Sequence, residues 1–171
     1  MVLGWFRGRK SSPTNQPVVR RVDRKTASEE WVKHGEDLAN SNRPDEAIQA
    51  FDKAIEIMPQ NAYAWGDKAL MLDKLGHIDE AIAAFSKSTA FDPANAITWN
   101  NKGLTLLKAG YLEQANECFD KAIEHNGKYA KAWYNKGRTL SMMRKVSDSQ
   151  RCFDAARKMD PLLFAKLKKM H

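Results

Sequence analysis

The chain has 171 residues, a net charge of +7, 43% hydrophobic and 29% charged residues. These are the proportions of a soluble protein, and no run approaches the ~18 consecutive apolar residues that a membrane span needs. The opening residues 1–6 are apolar but precede Arg7, the reverse of a secretory leader's order, so secretion is not expected.

Residues 1–27 read as a basic, flexible N-terminal arm. They hold Arg7, Arg9, Lys10, Arg20, Arg21, Arg24 and Lys25 against Asp23 alone, so +6 of the +7 lies here. Ser11, Ser12, Pro13, Thr14, Asn15, Gln16 and Pro17 form a loop-type cluster without periodicity. Such an arm is either a solubilising leader or an attachment to an anionic membrane surface or nucleic acid. Trp5 and Phe6 beside Arg7, Arg9 and Lys10 suit a lipid headgroup interface. No RNA-binding signature accompanies them.

From residue 28 onward the chain repeats itself every 34 residues. Trp31, Trp65, Trp99 and Trp133 set the period. Ala47, Ala81, Ala115 and Ser149 follow at sixteen residues, and Phe51, Phe85, Phe119 and Phe153 at twenty. Ala54, Ser88, Ala122 and Ala156 come next, and Pro59, Pro93, Gly127 and Pro161 close each unit. A period of 20–50 residues marks a repeat array. The units run 28–61, 62–95, 96–129 and 130–163.

Each unit reads as two helices. Trp31, His34, Gly35 and Leu38 share one face at i, i+3, i+4, i+7. Pro44 suits the first turn of the second helix, and Asp45 and Glu46 favour its start. Close approach of the two helices requires small residues, so Gly35, Ala69, Gly103 and Gly137 are expected to face Ala47, Ala81, Ala115 and Ser149. Gly76 and Gly110 supply interhelix turns, whereas repeat four has Arg144 and Lys145 there. Residues 162–171 form a short capping helix with Leu163, Phe164, Leu167 and Met170 on its apolar stripe. A self-association contact through this helix is the alternative.

The period, the tryptophan, the Ala-x3-Phe and the closing proline resemble the tetratricopeptide repeat (TPR) family. The resemblance covers residues 28 to 161. It implies an all-α fold, a right-handed superhelix of helix-turn-helix repeats. It also implies a non-catalytic scaffold that binds a peptide segment or helix of a partner protein in its concave groove. His34, Lys68, Lys102 and Lys136 stand where the family usually has leucine. A lysine stem covers apolar surface while its ammonium reaches water; an anion-binding ridge is the other reading of that ladder.

First helices line the inside of such a superhelix, and the groove should grade from acidic to basic. The candidate peptide-binding residues are Tyr63, Asp67, Asn100, Asn101, Lys131, Tyr134, Asn135 and Arg138. Amides pair with a peptide backbone, arginine grips a carboxylate and tyrosine is a favoured hot-spot type. The carboxylate clamp of chaperone-binding members is matched only by Asn101 and Lys131, while Gly66, Leu70 and Asn135 depart from it.

No catalytic constellation is visible. His34, His77, His125 and His171 show no metal-ligand spacing, so no metal site or cofactor is expected. Cys118 and Cys152 lie one period apart and read as buried thiols in a reducing cytoplasm.

Overall fold

A computed structural model describes residues 23–169, and among them every regular element is helical. In chain order these are α1 (Arg24–Asn40), α2 (Pro44–Ile57), α3 (Ala62–Leu75), α4 (Ile78–Phe91) and α5 (Ala96–Lys108). Then follow α6 (Leu112–His125), α7 (Ala130–Met142), α8 (Val146–Met159) and α9 (Pro161–Lys169). Each odd helix packs on the even helix after it, each pair stacks on the next, and α9 closes the stack against α7 and α8.

The local chemistry sets the helix ends. Asn61 accepts from the Ala64 amide at 3.1 Å, Asn95 from Ile97 and Thr98 at 3.1 Å, and Asp160 from Leu163 at 2.8 Å. These caps satisfy amides that have no partner inside the helix. The first helix begins earlier than the repeat register places it, because Asp23 caps it at Lys25 N. Arg24 and Lys25 therefore belong to α1 and not to a loose arm. Arg7, Arg9, Lys10, Arg20, Arg21 and Met170 lie outside the described residues.

All four interhelix turns use a left-handed residue at one register position: Asn42 at φ 57°, Gly76 at 85°, Gly110 at 83° and Arg144 at 59°. Repeat four keeps the same turn as its neighbours and strains an arginine to do so.

Within a pair, the phenylalanine is the centre. Phe51, Phe85 and Phe119 are almost wholly buried. A Cβ added at Gly35 would sit 2.4 Å from the Phe51 ring, at Gly103 2.7 Å from Phe119 and at Gly137 2.8 Å from Phe153. The expected pairing of small with small is seen in repeat four, where Ser149 Oγ donates to Gly137 O at 2.8 Å, and in repeat two, where Ala69 and Ala81 share one buried cluster. The first-helix glycine makes room for the aromatic ring, and the buried alanine beside it lets the second helix come close.

Between pairs, the tryptophan is a clip. Trp65 Nε1 donates to Pro59 O at 2.9 Å, Trp99 to Pro93 O at 2.8 Å and Trp133 to Gly127 O at 2.9 Å. The acceptor is a backbone carbonyl, so glycine serves at 127 as well as proline does elsewhere. Lys68 reaches back to Asp52 at 2.6 Å, and Lys136 to Asp120 in the same way. Lys102 has Ser86 in that register and lies over the Trp99 ring, 5.4 Å from its centroid. Two of the three ladder ammoniums already have carboxylates, so the ladder is interface cement and not a ridge for anions.

Candidate groove on the first-helix face

The odd helices α1, α3, α5 and α7 also touch one another in sequence, and this makes one continuous face. Because the repeat is 34 residues, each register position forms a column across the four helices. One column reads Glu29, Tyr63, Ile97, Lys131, and another reads Glu36, Leu70, Leu104, Arg138. Both run acid, apolar, apolar, cation. The gradation is thus carried by two columns in parallel. Tyr63 and Ile97 are 66% and 61% exposed, far more than core residues of these types are.

A third column, Lys33, Asp67, Asn101, Asn135, lies beside them. Burial pushes the Asp67 carboxyl up to about 6, and the nearby Glu36 carboxylate adds to the shift. These two acids form an anionic locus between α1 and α3. Lys25 screens part of this end through its 3.8 Å pair with Glu29.

The basic half holds the larger hollow, of about 790 Å³, bordered by Asn100, Asn101, Lys131, Asn135 and Arg138 together with Leu70, Ile97 and Leu104. Five of the eight sequence-based candidates therefore meet around one space. Asn135 Nδ2 donates to Asn100 Oδ1 at 2.9 Å, and both are largely buried, so this pair forms the floor. Among the described residues Lys131 and Arg138 form no ion pair. Tyr63 borders a separate hollow of about 680 Å³ with Glu29 and Glu36, and Asp67 a smaller one of about 310 Å³ with Glu36 and Leu70.

Tyr134 is placed differently from the expectation. It is only 4% exposed and packs against Phe153 and Phe164, with ring centroids 5.4 and 5.7 Å away. The capping helix lies over it, and with Arg138, Phe153 and Phe164 the tyrosine borders a separate hollow of about 780 Å³ at the end of the stack.

The register reading missed Asp73 and Leu167, which also border the larger hollow. Asp73 Oδ2 takes Lys108 of the next first helix, while Oδ1 is buried with no hydrogen-bond donor among the described residues. The signal was present at a spacing of 35. Both Asp73 with Lys108 and Asn100 with Asn135 are one repeat plus one residue apart.

No group of three or more metal-ligating side chains occurs among the described residues, and none of their helices is long and apolar enough to cross a membrane. Cys118 and Cys152 are free and buried, and burial pushes the Cys118 thiol up to about 11, which keeps it protonated and unreactive.

Profiles of the tetratricopeptide repeat match residues 38–100, 96–129 and 118–151. A comparison with curated proteins returns no match. Among solved structures, a crystal structure of MamA superposes with a TM-score of 0.75 at 19% identity, covering 78% of each chain. PilF of Pseudomonas aeruginosa gives a TM-score of 0.75 at 22% identity over 81% of this chain and 63% of that one. Residues 41-end of MamA from Desulfovibrio magneticus RS-1 give 0.72 at 17% identity, over 78% of this chain and 76% of that one. At such identities the likeness concerns the fold. The repeats make the protein an interaction scaffold, and the chain belongs to the tetratricopeptide repeat family.

Proposed function

We propose that this scaffold is non-catalytic and holds a peptide segment or helix of a partner protein in the groove of α1, α3, α5 and α7. The observation that carries the reading is the pair of columns running from Glu29 and Glu36 to Lys131 and Arg138. Their central members, Tyr63, Ile97, Leu70 and Leu104, leave apolar surface uncovered in the middle of the first-helix face. Contiguous apolar surface rimmed by charge is the usual mark of a protein-binding site. Asn100, Asn101 and Asn135 supply amides, and Lys131 and Arg138 supply cations for a carboxylate. The two free thiols support a reducing, cytoplasmic setting.

The test is retention of partners from a lysate at low and high salt, with mass spectrometry as readout. Ile97→Asp and Lys131→Glu change exposed side chains and should leave the helices intact. Loss of the same retained proteins in both variants supports the groove; undiminished retention refutes it. The second reading is attachment through the basic N-terminal segment, which Arg24 and Lys25 continue as exposed residues on α1. Binding of that kind weakens steeply with salt and is indifferent to Ile97. A third reading, self-assembly through α9, rests on Leu162, which is 85% exposed. Light scattering over a concentration series distinguishes it.

A further inference from the structure

Adjacent first helices pack about 10 Å apart. An extended chain advances ~3.3 Å per residue, so one helix step corresponds to about three residues of an extended ligand. The four members of a column then meet side chains at about the first, fourth, seventh and tenth positions. A ligand crossing the whole face must match acid, apolar, apolar and cation in that order.

We propose, building on the groove reading above, that the occupant is one extended segment of about ten residues with a fixed charge polarity. Its basic end lies at Glu36 and Asp67, its two apolar side chains lie on Leu70 and Leu104, and its acidic end lies at Lys131 and Arg138. Charge complementarity selects the order at both ends. Glu36 of α1 and Asp67 of α3 border one small hollow, and a ligand cation there relieves their repulsion. The cations of α7 have no carboxylate among the described residues, and a ligand acid supplies one.

The backbone form follows from Asn101. Its half-buried amide borders the main hollow, accepts from Asn100 at 3.4 Å, and has no acceptor for its own Nδ2 among the described residues. A bound helix uses its backbone carbonyls internally, whereas an extended chain presents unpaired C=O groups along its length. The extended form therefore offers this donor a partner, and a helix does not.

The experiment is a positional-scanning library of ten-residue peptides offered to the full chain and to a variant carrying Glu36→Lys with Arg138→Glu. Both positions occupy the same register, so the exchange preserves net charge, and a thermal melt followed by circular dichroism checks that the fold survives. The full chain should select Lys or Arg at one end, Leu, Ile or Phe at two inner positions three apart, and Asp or Glu at the other end. In the exchanged variant the new charges oppose the remaining Glu29, Asp67 and Lys131, so the charge order should be lost, with about a tenfold fall in affinity for the peptides that the full chain selects. Should no position show selection, the groove reading falls and this proposal with it. Selection by the full chain without charge order, or the same order in the exchanged variant, overturns the polarity while leaving the groove intact. Apolar selections about seven apart would show a helical occupant and overturn the extended form. Ile97→Asp serves as a second variant if the exchange unfolds the protein, and it should abolish the apolar selection at the inner position that faces α5 while leaving the charge order in place.

Discussion

The three inner junctions and the last one solve the same packing problem with different chemistry. At the inner junctions an indole N–H clips each repeat to the carbonyl before it, and Phe51, Phe85 and Phe119 are sealed beneath. At the last junction Leu167 stands in the tryptophan register and has no N–H to give. There Tyr134 and Phe153 each pack edge to face on Phe164 instead, Phe153 is only half-buried, and no residue of α9 is buried. Inner junctions fix register with directional bonds; the end needs only to cover apolar surface, and non-directional aromatic packing does that.

The sharpest way to break this contrast is to remove the two rings. Phe119→Ala should cost about 3–5 kcal/mol, the usual range for a sealed phenylalanine. Phe153→Ala removes a half-exposed ring and should cost roughly half as much, since less area leaves water there. Urea melts of the two variants read both values. Equal losses would mean that the last junction is as tight as the inner ones.

Gly103→Ala tests the close approach inside a pair. The new Cβ meets Phe119 at 2.7 Å. Overpacking costs ~1–3 kcal/mol, and better helix propensity returns ~1 kcal/mol, so a net loss of about 1 kcal/mol is expected. Repeat two carries Ala69 natively at this position above Phe85. A gain in melting temperature would show that the Phe119 ring can make room for a methyl group.

Trp99→Phe isolates the clip. It deletes the 2.8 Å bond to Pro93 O and should cost roughly 0.5–1.5 kcal/mol. Trp31 is 39% exposed and forms no such bond among the described residues. Trp31→Phe should therefore fall within about 0.5 kcal/mol of wild type. Equal effects would remove the clip from the account of the junction.

Most of the architecture was legible because the period is carried by rare residues, and four copies in register constrain one another. The groove columns were legible for the same reason, since register alone decides which side chains share a face. Three things were not. The early start of α1 depends on Asp23, which has no counterpart among the Asn61 and Asn95 caps of later repeats. Tyr134 has the groove register, but α9 folds back over it, and the path of a short terminal helix is not periodic. Asp73 with Lys108 joins neighbouring repeats at 35 residues, and a reading confined to 34 passes over contacts that slant from one helix to the next. Single-repeat patterning thus finds what each unit repeats, and misses what one unit does to another.

The turn of repeat four offers a smaller effect of opposite sign. Arg144 holds φ 59° where repeats two and three have glycine. A left-handed residue with a Cβ costs ~1–2 kcal/mol, and glycine's greater freedom in the unfolded chain takes back ~0.5–1 kcal/mol. Arg144→Gly should stabilise by about 0.5–1 kcal/mol in the same melts, and a loss would show that this turn differs from the glycine turns.

The smallest expected effect is the most conditional on pH. Asp67 shares its register with Asn101 and Asn135, so Asp67→Asn makes the second repeat like the third and fourth. Burial and Glu36 raise the folded carboxyl to about 6, above the ~3.9 of an unfolded aspartate. Between those values the folded protein binds more protons than the unfolded one, so stability falls as pH rises through this window. Below about pH 4 both states are protonated and the penalty is absent; above about pH 6 it is fully expressed. Asp67→Asn removes the penalty, so its melting temperature should exceed that of wild type at pH 7 by a margin that closes as pH falls to 4. Asp67 is partly open to solvent, which trims the size of the gain but not its sign. A margin independent of pH would place the benefit in packing. A lower melting temperature at pH 7 would mean that the carboxylate is stabilised in the folded groove, and that repeat two holds its acid against α1 without penalty.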